Sequence, residues 1–200
     1  MGGRGGKAFA TNSARQADAF FGLGSPKGMY PSWHDAISGK EHDALYTYIG
    51  SSYTDINNYL RRGIETSSYY KDCIADMTRA ISDFSLKKSI VVHRGAEAHI
   101  FGGFKTAAQI NEMAKKGARL TDKGFMSTSA SSGSQFDGKY HFVITVPAGK
   151  GRGAYIAPFS RYRSENEFLL QKGSTFKITR AVDRGGQIEV HLRLVTEKKK

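Results

Sequence analysis

The chain has 200 residues, 39% apolar and 24% charged, and its 30 Lys/Arg against 18 Asp/Glu give a net charge of +12. That is one domain's length with chain enough for a sizeable core. No apolar run approaches the roughly 20 residues of a membrane-spanning helix. Met1–Lys7 lacks the apolar stretch of a secretory signal, and the single Cys73 excludes a disulfide framework or a cysteine-rich zinc site. A soluble protein, cytoplasmic in its producing or target cell and with no membrane partner, is the expectation.

Residues 1–30 carry Gly2, Gly3, Gly5, Gly6, Gly22, Gly24, Gly28 and Pro26. This composition predicts a flexible basic lead-in over 1–40. From Glu41 the pattern turns helical. Ala44, Leu45, Tyr48 and Ile49 recur at helix spacing, and Gly50-Ser51-Ser52 breaks the run. A second helix with Tyr53, Ile56, Tyr59 and Leu60 inward stops at Gly63. A third, Ser68 to Phe84, buries Tyr70, Ile74, Met77, Ile81 and Phe84. Cys73 beside that stripe reads as a small core residue.

After residue 88 the period shortens. Strands are predicted at Ile90–Val92, Gly124–Ser129, Tyr140–Val146, Ala154–Ile156, Glu167–Leu170, Phe176–Val182 and Gln187–Val195, with one helix over 106–116. Helices first and strands second argue for an α+β domain over 41–197, with a mainly antiparallel two-layer β-core. Lys198–Lys200 form a basic tail. Within the body, Lys150, Arg152, Arg161 and Arg163 cluster with no acid between them. They read either as a solvated face or as a surface that steers an anionic partner.

Three pieces carry candidate chemistry. In Val91-Val92-His93-Arg94-Gly95 an arginine leaves an apolar strand, where its fork suits a phosphate and the glycine permits close backbone approach. Gly124-Phe125-Met126-Ser127-Thr128-Ser129 sets three hydroxyls at a strand end. In Arg163-Ser164-Glu165-Asn166-Glu167-Phe168-Leu169-Leu170 strand alternation puts Glu165 and Glu167 on one side, where like charges repel unless donors occupy the site. Alone, each piece has a plain explanation: a surface ion pair, an edge strand, two surface acids.

In this order and spacing the three pieces resemble the arginine–serine–glutamate class of NAD-dependent ADP-ribosyltransferases, in particular the bacterial exoenzyme and toxin branch. The stretches Gly153-Ala154-Tyr155-Ile156 with Ser160 and Tyr162, and Tyr53-Thr54-Asp55-Ile56-Asn57-Asn58-Tyr59-Leu60-Arg61, are similar to the same family. The resemblance covers about residues 40–195 and implies an ADP-ribosyltransferase-like fold with NAD as co-substrate and no metal. Carried over by residue, it implies that Arg94 binds the NAD phosphates and the Gly95 backbone holds the nicotinamide carboxamide. Ser127 would orient the catalytic Glu167, with Thr128 and Ser129 supporting the nicotinamide pocket. Glu167 would contact the 2′-hydroxyl of the nicotinamide ribose, and Glu165 would face the acceptor. Asn57 and Arg61, or in the other register Asn58 and Arg62, would reach the phosphates or adenosine.

The resemblance implies transfer to a macromolecule. Glu165, where relatives that modify asparagine or cysteine tend to carry glutamine, favours an arginine of a protein. Phe159, Arg161, Tyr162 and Arg163 precede the glutamate on the stretch that the resemblance implies would face the acceptor. Aromatic and arginine residues interleave there as on stacking-plus-phosphate surfaces, which keeps RNA or DNA open as the acceptor. Water as acceptor, and a non-catalytic basic binding module, are the other readings. The class also admits a cognate inhibitor or antitoxin as partner. His93, where the family often has an aromatic, reads as structural.

Overall fold

The computed structural model describes residues 7–133 and 137–196. The helical part contains α1 (Ala14–Phe21), α2 (Met29–His34), α3 (Gly39–Thr47), α4 (Tyr53–Arg62) and α5 (Ser68–Asp83). Helix α3 opens at a reciprocal cap between Ser38 and Glu41. A π-helical turn, Tyr48–Ser52, joins it to α4, with Gly50 out of helical geometry at ψ −106°. Gly63 at φ +70° ends α4, the left-handed stop that the sequence predicts.

The second part holds β1 (Ser85–Leu86), β2 (Ile90–Ala96), α6 (Ala107–Lys115), β3 (Arg119–Asp122), β4 (Met126–Ser129), β5 (Tyr140–Val146), β6 (Gly149–Lys150), β7 (Gly153–Tyr155), β8 (Glu167–Leu170), β9 (Ser174–Asp183) and β10 (Ile188–Leu194). Eight strands pair in the order β3-β9-β10-β5-β2-β4-β8-β7, and β1 pairs with β6. Every pairing is antiparallel except β10 with β5. Strand β2 pairs with β5 over seven positions but meets β4 at one, His93↔Ser129. The sheet is thus jointed between β2 and β4.

The expectation of a flexible lead-in is corrected for residues 7–40. Ser13 caps α1, whose Ala17 and Phe21 are buried. The Phe21 ring stacks on Tyr155, with centroids 4.0 Å apart, and also lies against Phe168 of β8. Trp33 of α2 is buried and donates its indole N–H to the Ala80 carbonyl at 2.7 Å. Full burial of each such aromatic contributes about 1.5–3 kcal/mol. The misleading glycines belong to a tight crossing: a Cβ on Gly22 would lie 2.4 Å from the Gly28 Cα. Residues 1–6 of the lead-in and the Lys198–Lys200 tail lie outside the described residues.

Strand β3 is a second element the periodicity does not predict. It is a short edge strand whose Arg119 and Thr121 are exposed, so no apolar alternation marks it. Helix α6 lies against β9, where the Asn111 side chain donates to the Ala181 carbonyl and accepts from its N–H.

Candidate active site

The joint between β2 and β4 is where the three sequence pieces meet. A cleft of about 470 Å³ opens there, lined from β2 by His93 and Arg94, from β4 by Ser127, Thr128 and Ser129, and from the loop before β8 by Tyr162 and Glu165. Glu167 enters as the first residue of β8. From the helical side come Tyr48, Tyr53, Asn57 and Arg61.

Arg94 Nη1 donates to the Ser127 carbonyl at 2.7 Å. This bond crosses the joint where the backbone ladder has one pair, so the guanidinium links the two halves of the sheet. Burial works against its charge, as does Arg61, while Asp122 and Glu167 favour it. A half-buried cation with one such protein partner suits an anionic ligand.

Helix α4 is stapled to the segment entering β4. Asn57 Oδ1 accepts the Phe125 N–H at 2.9 Å, and its Nδ2 donates to the Tyr48 phenol at 2.9 Å. Gly124 leaves room for this contact, because a Cβ there would sit 2.4 Å from Asn57 Oδ1. Arg61 forms a two-pronged pair with Asp122, both bonds 2.8 Å, and donates to the Phe125 carbonyl at 3.0 Å. Asn57 and Arg61, rather than Asn58 and Arg62, are the cleft-lining register.

The two glutamates are set by the residue between them. Asn166 is buried and left-handed at φ +49°, the one described non-glycine residue with positive φ. Asparagine tolerates that conformation better than most. Its Nδ2 donates to the Ser164 carbonyl at 2.8 Å and to Ser131 Oγ at 3.2 Å, and its carbonyl accepts from Ala130 N at 2.9 Å. The Tyr155 phenol donates to Asp18 of α1 at 2.6 Å and lies 3.3 Å from Asn166 Oδ1. The segment expected to be a lead-in therefore braces the Glu165–Glu167 turn. Thr128 Oγ1 donates to the Phe168 carbonyl, fixing β4 to β8 one residue beyond Glu167.

Burial raises Glu167 to about 7; the Ser127 side chain and Arg94 pull it down, and Glu165 pushes it up. Burial also raises Glu165. Tyr48 is held up to about 12, again by burial first. His93 is pushed down to about 4 by burial and by His141, whose Nε2 is 3.0 Å from His93 Nδ1, so it is neutral at pH 7.

Some predicted site residues lie elsewhere. Gly95 follows Arg94 on β2 but is not among the cleft-lining residues, and neither are Arg161 and Arg163, which are exposed. Phe159 requires correction: it is buried and packs on His42, His34 and Trp33, with centroids 4.9, 5.5 and 6.1 Å away. Its ring has no face for a nucleobase. Tyr162, 69% exposed, does. Sequence reasoning missed Tyr48, Tyr53, Asp122 and Asn166. Tyr48 sat on a helical stripe and read as core, which it also is. Asn166 carried a usable signal, an asparagine wedged between two acids before a strand. Asp122 carried none, because its partner Arg61 is 61 positions away.

The helices followed by a mostly antiparallel sheet are the architecture of the ADP-ribosyltransferase toxins. Residues 27–199 match the family model of the ADP-ribosyltransferase exoenzymes, and the chain belongs to that family. Among curated proteins it is 25% identical, over 171 residues, to the NAD(+)–arginine ADP-ribosyltransferase EFV of Enterococcus faecalis. That match covers 80% of this chain and 32% of the relative, so the chain spans about a third of that protein's length. Among solved structures it is similar to Plx2a, an ADP-ribosyltransferase toxin of Paenibacillus larvae. The TM-score is 0.76 at 21% identity, covering 94% of this chain and 99% of that one. It is also similar to BECa, an ADP-ribosylating toxin of C. perfringens solved with NADH, with a TM-score of 0.78 at 20% identity, covering 94% of this chain and 50% of that one. The C3 exoenzyme of Clostridium limosum gives 0.74 at 17% identity, covering 95% and 98%. No helix among the described residues is long and apolar enough to cross a membrane.

Proposed function

We propose that the protein is a mono-ADP-ribosyltransferase that cleaves the nicotinamide–ribose bond of NAD and transfers ADP-ribose to an arginine of a protein acceptor. The observation that carries this reading is the convergence of Arg94, Ser127, Glu165 and Glu167 on one cleft from remote parts of the chain. Arg94 takes the pyrophosphate, assisted by the positive field of Arg61. As the C1′–N bond breaks, its electron pair leaves with neutral nicotinamide and positive charge grows on the ribose. The Glu167 carboxylate, accepting from the 2′-hydroxyl, stabilises that charge as it develops. Ser127 holds the carboxylate in place. The acceptor guanidinium nitrogen then bonds C1′, and Glu165 removes its proton.

A guanidinium acceptor is supported by Glu165, a second carboxylate at the same cleft, and by the name of the enterococcal relative. The nucleic-acid reading loses Phe159 as a stacking platform and keeps Tyr162 between Arg161 and Arg163. The catalytic unit extends from α1 to β10 rather than beginning at residue 41, because α1 braces the Glu165–Glu167 turn.

Two measurements test this. Nicotinamide release from NAD by the wild type should exceed that of Glu167→Ala by at least a hundredfold; equal rates would leave a binding module. With labelled NAD and a cell lysate, the label should survive nuclease and be lost to protease. The opposite pattern would make nucleic acid the acceptor, and release without any labelled macromolecule would make water the acceptor.

A further inference from the structure

We propose that a second pocket, at the end of β8 remote from Glu167, binds a phosphate group of a small soluble ligand. The pocket, about 240 Å³, lies between the β6–β7 turn and the β8–β9 turn against the edge strand β3. Arg119, Arg152 and Lys172 line it, and no acidic residue does. None of the three is in an ion pair among the described residues, whereas neighbouring Lys150 is held by Asp83 at 2.8 Å.

Arg152 supplies a second, independent observation. Its Nε is the one buried side-chain nitrogen or oxygen among the described residues that lacks a hydrogen-bond partner. Buried polar groups in folded proteins are nearly always paired, so an exception calls for an explanation, of which a bound ion or water is one. The guanidinium is not free to swing out for a partner. It packs on the bare Cα of Gly149, where a Cβ would lie 3.2 Å from Nη2. A fixed fork flanked by two further cations recognises a phosphate oxyanion. Gly151 at φ +73° and Gly173 at φ +76° leave the turn backbones bare, so an anion can approach them closely.

The ligand class follows from what the walls lack. No aromatic side chain lines the pocket, so a nucleobase has no stacking partner. The exposed large apolar residues Tyr46, Tyr53, Ile64, Tyr69, Phe104 and Tyr162 are absent from its lining, so a membrane surface has no insertion point there. A phosphate monoester or a pyrophosphate fits the volume and charge. The site is separate from the NAD cleft, since β8 carries Glu167 at one end and leads into Lys172 at the other.

The test is a titration of the full chain with inorganic pyrophosphate at fixed ionic strength, read by calorimetry and by backbone amide resonances. Saturable binding that shifts Gly151, Lys172 and Gly173 is expected. Arg152→Gln should weaken it at least tenfold, and Lys172→Gln, a change at a half-buried turn residue, severalfold. Arg94→Gln should leave these shifts intact while abolishing NAD binding, which separates this proposal from the reading of the cleft. Absence of saturable shifts at those amides, or indifference to both Arg152→Gln and Lys172→Gln, would overturn the proposal. Vesicles containing phosphatidylinositol bisphosphate should not out-compete soluble pyrophosphate; capture by them at far lower phosphate concentration would assign the pocket to a lipid headgroup instead.

Discussion

On the wall of the cleft made by α4, β2 and β4, polar side chains are engaged with the protein itself: Asn57 with Phe125 and Tyr48, Arg61 with Asp122, Arg94 with Ser127, Thr128 with Phe168. On the side made by residues 157–166, Tyr162 lines the cleft and stands in solvent, flanked by the exposed Arg161 and Arg163 that lie off the lining, and the one hydrogen bond from the Arg163 guanidinium is a long 3.5 Å to the Pro158 carbonyl. The first wall is preorganised and the second is adaptable. A reaction whose barrier is lowered by fixed charges needs its dinucleotide side rigid. Recognition of a partner tolerates, and often uses, a mobile loop on a rigid scaffold. Glu165 and Glu167 sit at the boundary, and buried Asn166 ties them to the rigid side.

The contrast is broken most directly at Glu167. Glu167→Gln keeps the shape and removes the charge. Nicotinamide release should fall by about 10²–10³-fold with little change in NAD affinity, since in the proposed mechanism the carboxylate acts on charge that exists only in the transition state. Single-turnover kinetics with a separate NAD binding measurement would read this. A matched loss of affinity would move Glu167 to ground-state binding.

Next in size is the rigid wall's own integrity. Asn57→Ala leaves the buried Phe125 N–H and Tyr48 phenol without that partner, at a cost of about 2 kcal/mol. In a domain of this size that lowers the melting temperature by roughly 4–8 °C. Arg161→Ala, an exposed change on the other wall, should stay within about 0.5 kcal/mol of wild type. Equal losses at the two positions would dissolve the distinction between the walls.

How much of this was readable in advance differs along the same boundary. The strands that carry Arg94, Ser127 and Glu167 announce themselves, because apolar alternation marks a strand and the charged or hydroxyl residue at its end stands out. The bonds that make the wall rigid do not. Arg61 with Asp122, and Asn57 with the Phe125 N–H, join positions more than sixty residues apart through an α+β crossing that no local pattern encodes. The lead-in was misread for a related reason: Gly22 and Gly28 look like linker residues one at a time and prove to be a close backbone crossing when brought together. Phe159 was legible as aromatic and as near the acceptor, but not as facing inward.

The pH profile sharpens the boundary further. Glu167 is raised to about 7, so kcat/KM for NAD should rise with pH through that value and fall by about fivefold between pH 7 and pH 6. The same shift acts on stability with opposite sign. The folded state holds a proton that the unfolded chain, with its carboxyl near 4.5, has released. Stability from this group is therefore present at low pH and lost as pH rises from about 4.5 to 7. Glu165→Gln removes the neighbouring charge that pushes Glu167 up, and should move the kinetic midpoint to lower pH. It should spare NAD hydrolysis and weaken transfer. An unmoved midpoint would show that the two carboxylates do not sense each other.

The smallest effect belongs to the adaptable wall. Tyr162 is 69% exposed, immediately precedes a 3₁₀ turn and lines the cleft beside Glu165, so in the proposed reaction its ring meets an incoming acceptor before it meets NAD. Tyr162→Ala should raise KM for the acceptor by roughly fivefold, the loss of about 1 kcal/mol expected for truncating an interfacial aromatic. Nicotinamide release into water should change by less than about twofold, because the Arg94, Ser127 and Glu167 constellation is anchored through β2, β4 and β8 and not through this turn. If hydrolysis and transfer fell together, the turn would be part of the NAD-holding wall, and the division between a rigid and an adaptable side would have to be drawn through Glu165 rather than around it.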